Sequence, residues 1–64
     1  MGSLKITLKS ARINANYKQE EIAEKLKVSK YTIMNWEKGK TKIPYSSLDM
    51  LCRYYGCTIN DIYL

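Results

Sequence analysis

Apolar residues recur at helical spacing along the whole chain. Leu8, Ala11 and Ala15 lie three and four residues apart, which predicts a first helix over residues 5–15. The same spacing predicts four further helices, which cover residues 19–26, about 29–38, about 46–55 and a short stretch that opens at 58. No segment alternates in the manner of a strand. The pattern therefore predicts an all-α fold of five helices.

The third of these helices has clear signals at both ends. Ser29 is a good N-cap, and its hydroxyl is expected to reach the backbone amide of Tyr31 or Thr32. Gly39 comes just after the last helical residue, where a left-handed conformation is wanted. Because only residues 27–28 separate this helix from the one before it, the two helices are joined by a tight turn.

The last two helices have weaker signals. Ser46 or Ser47 can cap the fourth helix, and Gly56 terminates it. Thr58 and Asp61 have the spacing of a capping box in its acidic form, which predicts the start of the short fifth helix.

The two halves of the third helix differ in chemistry. Ile33 and Trp36 point to one side and anchor the helix. The opposite half carries Lys30, Tyr31, Met34, Asn35 and Lys38. Lysine can donate to guanine and asparagine can pair with adenine, while Thr32, Met34 and the Tyr31 ring can touch a thymine methyl. An ordinary solvated helix face is the alternative.

The charge of the chain is concentrated next to this helix. The 64 residues include 11 Lys or Arg and 6 Asp or Glu, for a net charge of +5. Residues 27–44 carry five lysines and one glutamate, hence +4, whereas residues 1–26 carry +2 and residues 45–64 carry −1. Such a basic stripe is typical of a surface that contacts phosphate, although a merely solubilising cationic face would have the same composition.

Size and composition argue against other classes of protein. A chain of 64 residues forms one domain, 1–64, in which residues 1–3 could be disordered or a cloning scar. It has no histidine and only two cysteines, so we expect no metal, no cofactor and no enzyme activity. The spacing of Cys52 and Cys57 would allow a disulfide, but Cys52 lies on an apolar stripe and is expected to be a reduced core thiol. Without a membrane-spanning run or a signal peptide, the cytoplasm is the expected location.

An ordered set of residues resembles a known family. The set consists of Gln19-Glu20-Glu21-Ile22-Ala23, Leu26, Val28-Ser29, Thr32-Ile33, Trp36-Glu37 and Gly39. At these spacings it resembles the lambda-repressor-like helix-turn-helix proteins, which include phage Cro and repressor domains and the Xre-type regulators. The resemblance covers residues 4–64 and implies a compact five-helix DNA-binding domain. Helices two and three would form the helix-turn-helix, with residues 29–38 as the recognition helix.

The resemblance and the side-chain chemistry together suggest roles for particular residues. Those expected to contact bases are Lys30, Tyr31, Asn35, Met34 and Thr32. Those expected to contact phosphates, partly through backbone amides of the loop after the third helix, are Gln19, Ser29, Lys18, Lys38, Lys40, Thr41 and Lys42. Arg12 and Glu37 match a pair that forms an internal salt bridge in relatives.

Two residues depart from the family pattern. Lys18 stands where the family usually has a Ser or Thr cap, which costs the second helix about 1 kcal/mol. Lys27 stands where glycine is common, so a left-handed conformation in the turn would be strained or avoided. Neither change removes the residues expected to contact DNA.

The resulting prediction is a sequence-specific, double-stranded-DNA-binding transcriptional repressor of bacterial or phage origin, associated with the nucleoid. It would bind a near-palindromic operator as a homodimer, with half-sites about one helical turn apart. Tyr54, Tyr63 and Leu64 are the expected dimer interface, whereas Tyr55 and Ile62 are expected in the core. The alternative is an antitoxin-like module that neutralises a protein partner, with or without DNA binding. No membrane partner is expected.

Overall fold

Residues 5–63 fold into four α-helices and one turn of 3-10 helix. The computed structural model describes residues 5–63, so the predictions made for residues 1–3 and for Leu64 lie outside the described residues. The α-helices are α1 (Leu8–Asn14), α2 (Gln19–Leu26), α3 (Lys30–Lys38) and α4 (Tyr45–Tyr55), and the 3-10 turn covers Ile59–Asp61. The all-helical prediction is correct over residues 5–63, whereas the count of five helices is not confirmed.

The first helix starts three residues later than predicted. Thr7 is its N-cap, and the Thr7 hydroxyl accepts a hydrogen bond from the backbone N–H of Ser10 at 3.0 Å. The residue before it, Ile6, is extended: its N–H donates to the carbonyl of Asp61 at 2.9 Å, and its carbonyl accepts from Tyr63 N–H at 2.7 Å. Backbone groups that bridge the two ends of the chain in this way cannot also form a helical turn.

The fourth helix and the last turn also differ from their predicted boundaries. Pro44, rather than Ser46 or Ser47, is the N-cap of α4, and its carbonyl accepts from Leu48 N–H at 3.0 Å. The capping interaction at Thr58 is present, since its N–H and its hydroxyl both donate to Asp61 Oδ2. The helix that it opens ends after one turn because the next residue is extended and joins the bridge to the chain start.

One apolar core connects the helices. Its buried members are Leu8, Ala11, Ile22, Ala23, Ile33, Leu48, Leu51, Cys52 and Ile62. Burial of this surface provides the main driving force for folding, and it fixes which face of each helix turns outward. Cys52 is a free, buried thiol, and burial raises its pKa to about 12.

The turn between α2 and α3 contains an unfavourable backbone conformation. Lys27 ends α2 with φ 58° and ψ 42°, which is left-handed. Of the two expected outcomes, strain or avoidance, avoidance is therefore wrong, and the strained conformation is the one present. The turn requires it because the N–H groups of Lys27 and Val28 must return to the carbonyls of Glu24 and Ala23 to close the helix end.

Candidate nucleic-acid interface

The third helix is fixed at both of its ends. Ser29 Oγ accepts from the backbone N–H of Thr32 at 3.1 Å, as the sequence predicted. At the other end Gly39 adopts φ 75°, which a residue without a Cβ tolerates easily. Ile33 is buried and Trp36 packs against the core from the same side. These contacts leave the opposite half of α3 facing outward.

Four of the five residues expected to contact bases lie together on this outward half, namely Lys30, Tyr31, Met34 and Asn35. Lys30 and Tyr31 are exposed in the first turn, and 68% of the Tyr31 surface is accessible. Met34 and Asn35 are partly buried one turn later. Thr32 is also partly buried, and its hydroxyl lies 3.0 Å from Ser29 Oγ. The first turn thus offers an ammonium group and a phenol, and the second turn a thioether and a carboxamide.

A carboxylate on the inner side of α3 ties this helix to the two before it. Glu37 accepts hydrogen bonds from Arg12 Nε at 2.7 Å and Arg12 Nη2 at 3.3 Å. Gln19 Nε2 donates to the same carboxylate at 2.9 Å. Arg12 also donates from Nη1 to the carbonyl of Tyr17 at 3.0 Å. The ion pair between the nearly buried side chains of Arg12 and Glu37 therefore orients α1, α2 and α3 relative to one another.

Gln19 has an internal bond and still has capacity for a ligand. Its side-chain amide carries two N–H groups, and the bond to Glu37 uses one of them. The second N–H can donate to a phosphate oxygen. The side chain of Gln19 is only partly buried, which is consistent with both functions.

The end of α3 and the loop after it present cationic side chains but fewer free amides than expected. Lys38, Lys40, Thr41 and Lys42 are all exposed. However, the backbone N–H of Lys40 donates to the carbonyl of Asn35 at 2.9 Å and is not available to a phosphate. The predicted phosphate contact through this amide is therefore wrong, because the amide closes the end of α3. The ammonium group of Lys40 is unaffected by this bond.

The start of α2 contributes a further lysine. Lys18 is the N-cap and is exposed, but its side chain makes no capping bond. Its backbone N–H instead donates to Glu21 Oε1 at 2.8 Å. A glutamate three residues into the helix thus compensates in part for the missing Ser or Thr, and the Lys18 ammonium remains in solvent.

Sequence reasoning missed an acidic residue at this surface. Glu20 Oε1 lies 3.8 Å from Lys30 Nζ, and both side chains are more than half exposed. The pKa of Glu20 is lowered, first by a backbone hydrogen bond and then by the charge of Lys30. The position of Glu20 in the sequence does not reveal this contact, because the contact depends on the angle between α2 and α3.

Two of the residues expected to form a dimer interface, Tyr54 and Tyr63, have different neighbours in the structure. Tyr54 is 37% exposed on α4, and its ring packs edge-on against Tyr17 with centroids 6.3 Å apart. Tyr63 is exposed elsewhere, beside a groove of about 480 Å³. The groove is lined mainly by Leu8, Trp36, Gly39, Thr41, Ile43 and Tyr63. Tyr55 is only partly buried, and burial raises the pKa of its phenol.

Two features are absent from residues 5–63. No helix in this part of the chain is both long and apolar enough to cross a membrane. In the same range, no three His, Cys, Asp or Glu side chains come together in a group that could hold a metal ion.

Comparison with known proteins places this architecture in a family. A helix-turn-helix domain family model matches residues 6–64, and the chain belongs to that family. It is 36% identical over 61 residues to an uncharacterised HTH-type transcriptional regulator, MJ0272, of Methanocaldococcus jannaschii, covering 95% of this chain and 92% of that protein. It is also 34% identical over 55 residues to the HTH-type transcriptional activator BcrR of Enterococcus faecalis. That match covers 86% of this chain but spans only 27% of the activator. No solved structure matches the chain.

Proposed function

We propose that this protein is a transcription regulator that binds double-stranded DNA sequence-specifically by inserting α3 into the major groove. The observation that carries the proposal is the outward half of α3, where Lys30 and Tyr31 are exposed while the opposite side is anchored in the core. A helix held from behind in this way can present side chains to base edges without moving. Membership of the helix-turn-helix family supports the same function.

Within this function the side chains divide into two groups. Lys30, Tyr31 and Asn35 would discriminate bases, with Met34 and Thr32 adding apolar contacts. The phosphate contacts would come from Lys18, Gln19, Ser29, Lys38, Lys40, Thr41 and Lys42. Because phosphate contacts are independent of DNA sequence, the second group would supply affinity and orient the protein on the duplex. The first group would supply the preference for particular base pairs.

We further propose that the whole chain acts as one domain and binds a near-palindromic operator as a homodimer. One recognition helix reads only a few base pairs, and two helices about one turn of DNA apart double the length of sequence that is recognised. Repression is the proposed outcome, because a dimer bound across a promoter excludes other proteins from it. The relative that is 34% identical is a transcriptional activator. The position of the operator in the promoter would therefore decide whether binding represses or activates transcription.

Selection from random DNA tests this function. The protein is incubated with a pool of random duplexes at moderate salt, and the bound duplexes are sequenced. A variant with Lys30, Tyr31 and Asn35 all replaced by alanine serves as the control, since these side chains lie outside the apolar core. We expect the wild type to enrich a near-palindrome and the folded control to enrich nothing.

Absence of enrichment by the folded wild type would reject sequence-specific binding. This result would favour the antitoxin-like alternative. The groove beside Tyr63 would then be the first surface to test for binding of a protein partner. Salt separates the two functions. DNA affinity falls by orders of magnitude as salt rises, whereas an apolar protein interface responds little.

A further inference from the structure

The outer face of α4 combines apolar and charged groups in one small area. Met50 and Tyr54 are 42% and 37% exposed and lie one helical turn apart. Asp49 and Arg53, also one turn apart, flank them and form an ion pair of 3.1 Å. The four side chains line a hollow of about 230 Å³. A surface with an apolar centre and charges at its edge is typical of a contact between proteins.

Tyr54 is held in position before any partner arrives. Its ring packs against the ring of Tyr17. Lys25, near the end of α2, places its Nζ atom 5.4 Å from the centroid of the Tyr54 ring. A ring supported in this way loses little conformational freedom on binding, which favours an aromatic anchor. The contact partners of the ring belong to the segment before α2 and to the end of α2, so the anchor is fixed to the helix-turn-helix.

The order of charges along α4 makes this face complementary to itself. When two copies of α4 pack antiparallel about a two-fold axis level with the midpoint between positions 51 and 52, Met50 of one copy lies beside Tyr54 of the second copy, offset from direct opposition by about 1.5 Å, one residue of helix rise. Asp49 lies beside Arg53 of the second copy with the same small offset, and the symmetry repeats both contacts. In the dimer, the Asp49–Arg53 ion pair within each α4 would be replaced by an ion pair between Asp49 of one copy and Arg53 of the other. From this arrangement we infer that the outer face of α4 is the surface on which a second copy of this chain docks.

The inference rests on the proposed homodimer and gives it a different surface from the exposed tyrosine at position 63. The distribution of charge supports the choice. Two copies with a net charge of +5 repel each other, but α4 carries no net charge, because Asp49 and Arg53 cancel, whereas residues 27–44 carry +4. Contact through α4 therefore brings neutral helices together and leaves the lysines around α3 apart.

The contact is small, and this sets the expected strength of the dimer. Stable interfaces bury about 1,200–2,000 Å² in total, and one helix face per copy gives less. We therefore expect a reversible equilibrium between monomer and dimer rather than a permanent dimer.

A charge-exchange experiment tests the inference. Sedimentation equilibrium without DNA compares the wild type, Asp49→Arg, Arg53→Asp, the double variant, and a one-to-one mixture of the single variants. Each single variant places like charges opposite each other, and we expect its dimer dissociation constant to rise about tenfold or more. The double variant restores opposite charges at the wild-type net charge of +5, and the mixture restores them between different chains. Both should return the dissociation constant to near the wild-type value.

Several outcomes would overturn the inference. These are a wild type that stays monomeric at every concentration, single variants that dimerise like the wild type, and a mixture that associates no better than its components. The wild type and each variant are also taken through the selection from random duplexes. If the charge exchange works and no variant binds DNA, the dimer surface stands and the proposed DNA-binding function fails. If DNA binds normally and the charge exchange has no effect, only the dimer surface fails.

Discussion

At the residue scale, Asn35 is the most direct test of base reading. It lies on the outward half of α3, partly buried one turn beyond Lys30 and Tyr31. Replacing Asn35 with alanine should weaken binding to the selected operator by about 1–3 kcal/mol and relax preference at one base position. Asn14→Ala, the same change on α1, is the control. Binding assays on operators mutated one position at a time provide the measurement, and equal losses on all sequences would remove Asn35 from the base readers.

Glu37 shows at the same scale how one carboxylate can hold three helices. Its side chain is 6% exposed and accepts hydrogen bonds from both Arg12 and Gln19. Glu37→Gln would leave the Arg12 guanidinium without its counter-charge in a nearly buried position, and we expect the free energy of unfolding to fall by about 3–5 kcal/mol. Glu24→Gln on an exposed part of α2 should change it little. Urea unfolding measures both variants, and similar stabilities would contradict the assigned role.

At the element scale, the turn between α2 and α3 retains a strained lysine. Lys27 has φ 58°, a conformation that costs a residue with a Cβ about 1–2 kcal/mol. Lys27→Gly should therefore raise the free energy of unfolding by about 1 kcal/mol, even though glycine loses more entropy on folding. Lys25→Gly, two residues earlier and inside α2, should lower it by about the same amount. Thermal melts should show a higher melting temperature for Lys27→Gly and a lower one for Lys25→Gly than for the wild type. A loss of stability in both variants would mean that the turn does not require the left-handed conformation.

The elements that the sequence predicted well are those with a local cause. The hydrophobic spacing of α2 and α3, the Ser29 cap and the Gly39 ending depend on neighbours within four residues, and each is present in the structure. The start of α1 was predicted too early because its true limit is a contact with Ile62, more than fifty residues away. The expected fifth helix is short for the same reason. Helical periodicity carries no information about such long-range backbone bonds.

The candidate site shows the same division. Helical phase was sufficient to put Lys30, Tyr31 and Asn35 on one half of α3. It was not sufficient to detect the contact between Glu20 and Lys30, since that distance depends on how two helices cross. Nor was it sufficient to foresee that the Lys40 amide closes the end of α3 instead of remaining free. Residue type and spacing thus identify the groups available for binding, and tertiary packing decides which of their atoms remain accessible.

At the scale of the whole molecule, the buried Cys52 thiol and the buried hydroxyl of the partly buried Tyr55 predict sensitivity to alkaline pH. Burial raises the pKa of the Cys52 thiol from 9.0 to about 12, and it raises the pKa of the Tyr55 phenol as well. Both groups hold their protons in the folded state at pH values where the unfolded chain loses them. The contribution of these two groups to the free energy of unfolding is therefore fully present below about pH 9. It should be lost progressively as the pH rises from there toward 12. Melting temperatures between pH 7 and 11 measure the decline.

Tyr55→Phe is the matched variant for this pH dependence. It keeps the aromatic ring and removes the ionisable hydroxyl, so its decline above pH 10 should be shallower than that of the wild type. Among the described residues the buried Tyr55 hydroxyl has no hydrogen-bond partner, so its removal should not destabilise the protein near neutral pH. Parallel declines in the two proteins would exclude Tyr55 as a source of alkaline sensitivity.

The charge of the whole molecule makes DNA affinity depend on salt concentration. The position of each lysine decides how much it contributes to that dependence. Lys40 is exposed in the loop after α3, and its backbone N–H is already bonded, so only its ammonium group can neutralise a phosphate. Lys40→Ala should weaken binding similarly on all sequences and reduce the slope of log affinity against log salt by about 1. Lys9→Ala on α1 lowers the net charge equally, at a position outside the proposed phosphate contacts. Titrations at several salt concentrations separate the two effects: a reduced slope for Lys40→Ala alone would indicate a local phosphate contact, whereas equal slopes in the two variants would mean that net charge rather than the loop governs the affinity.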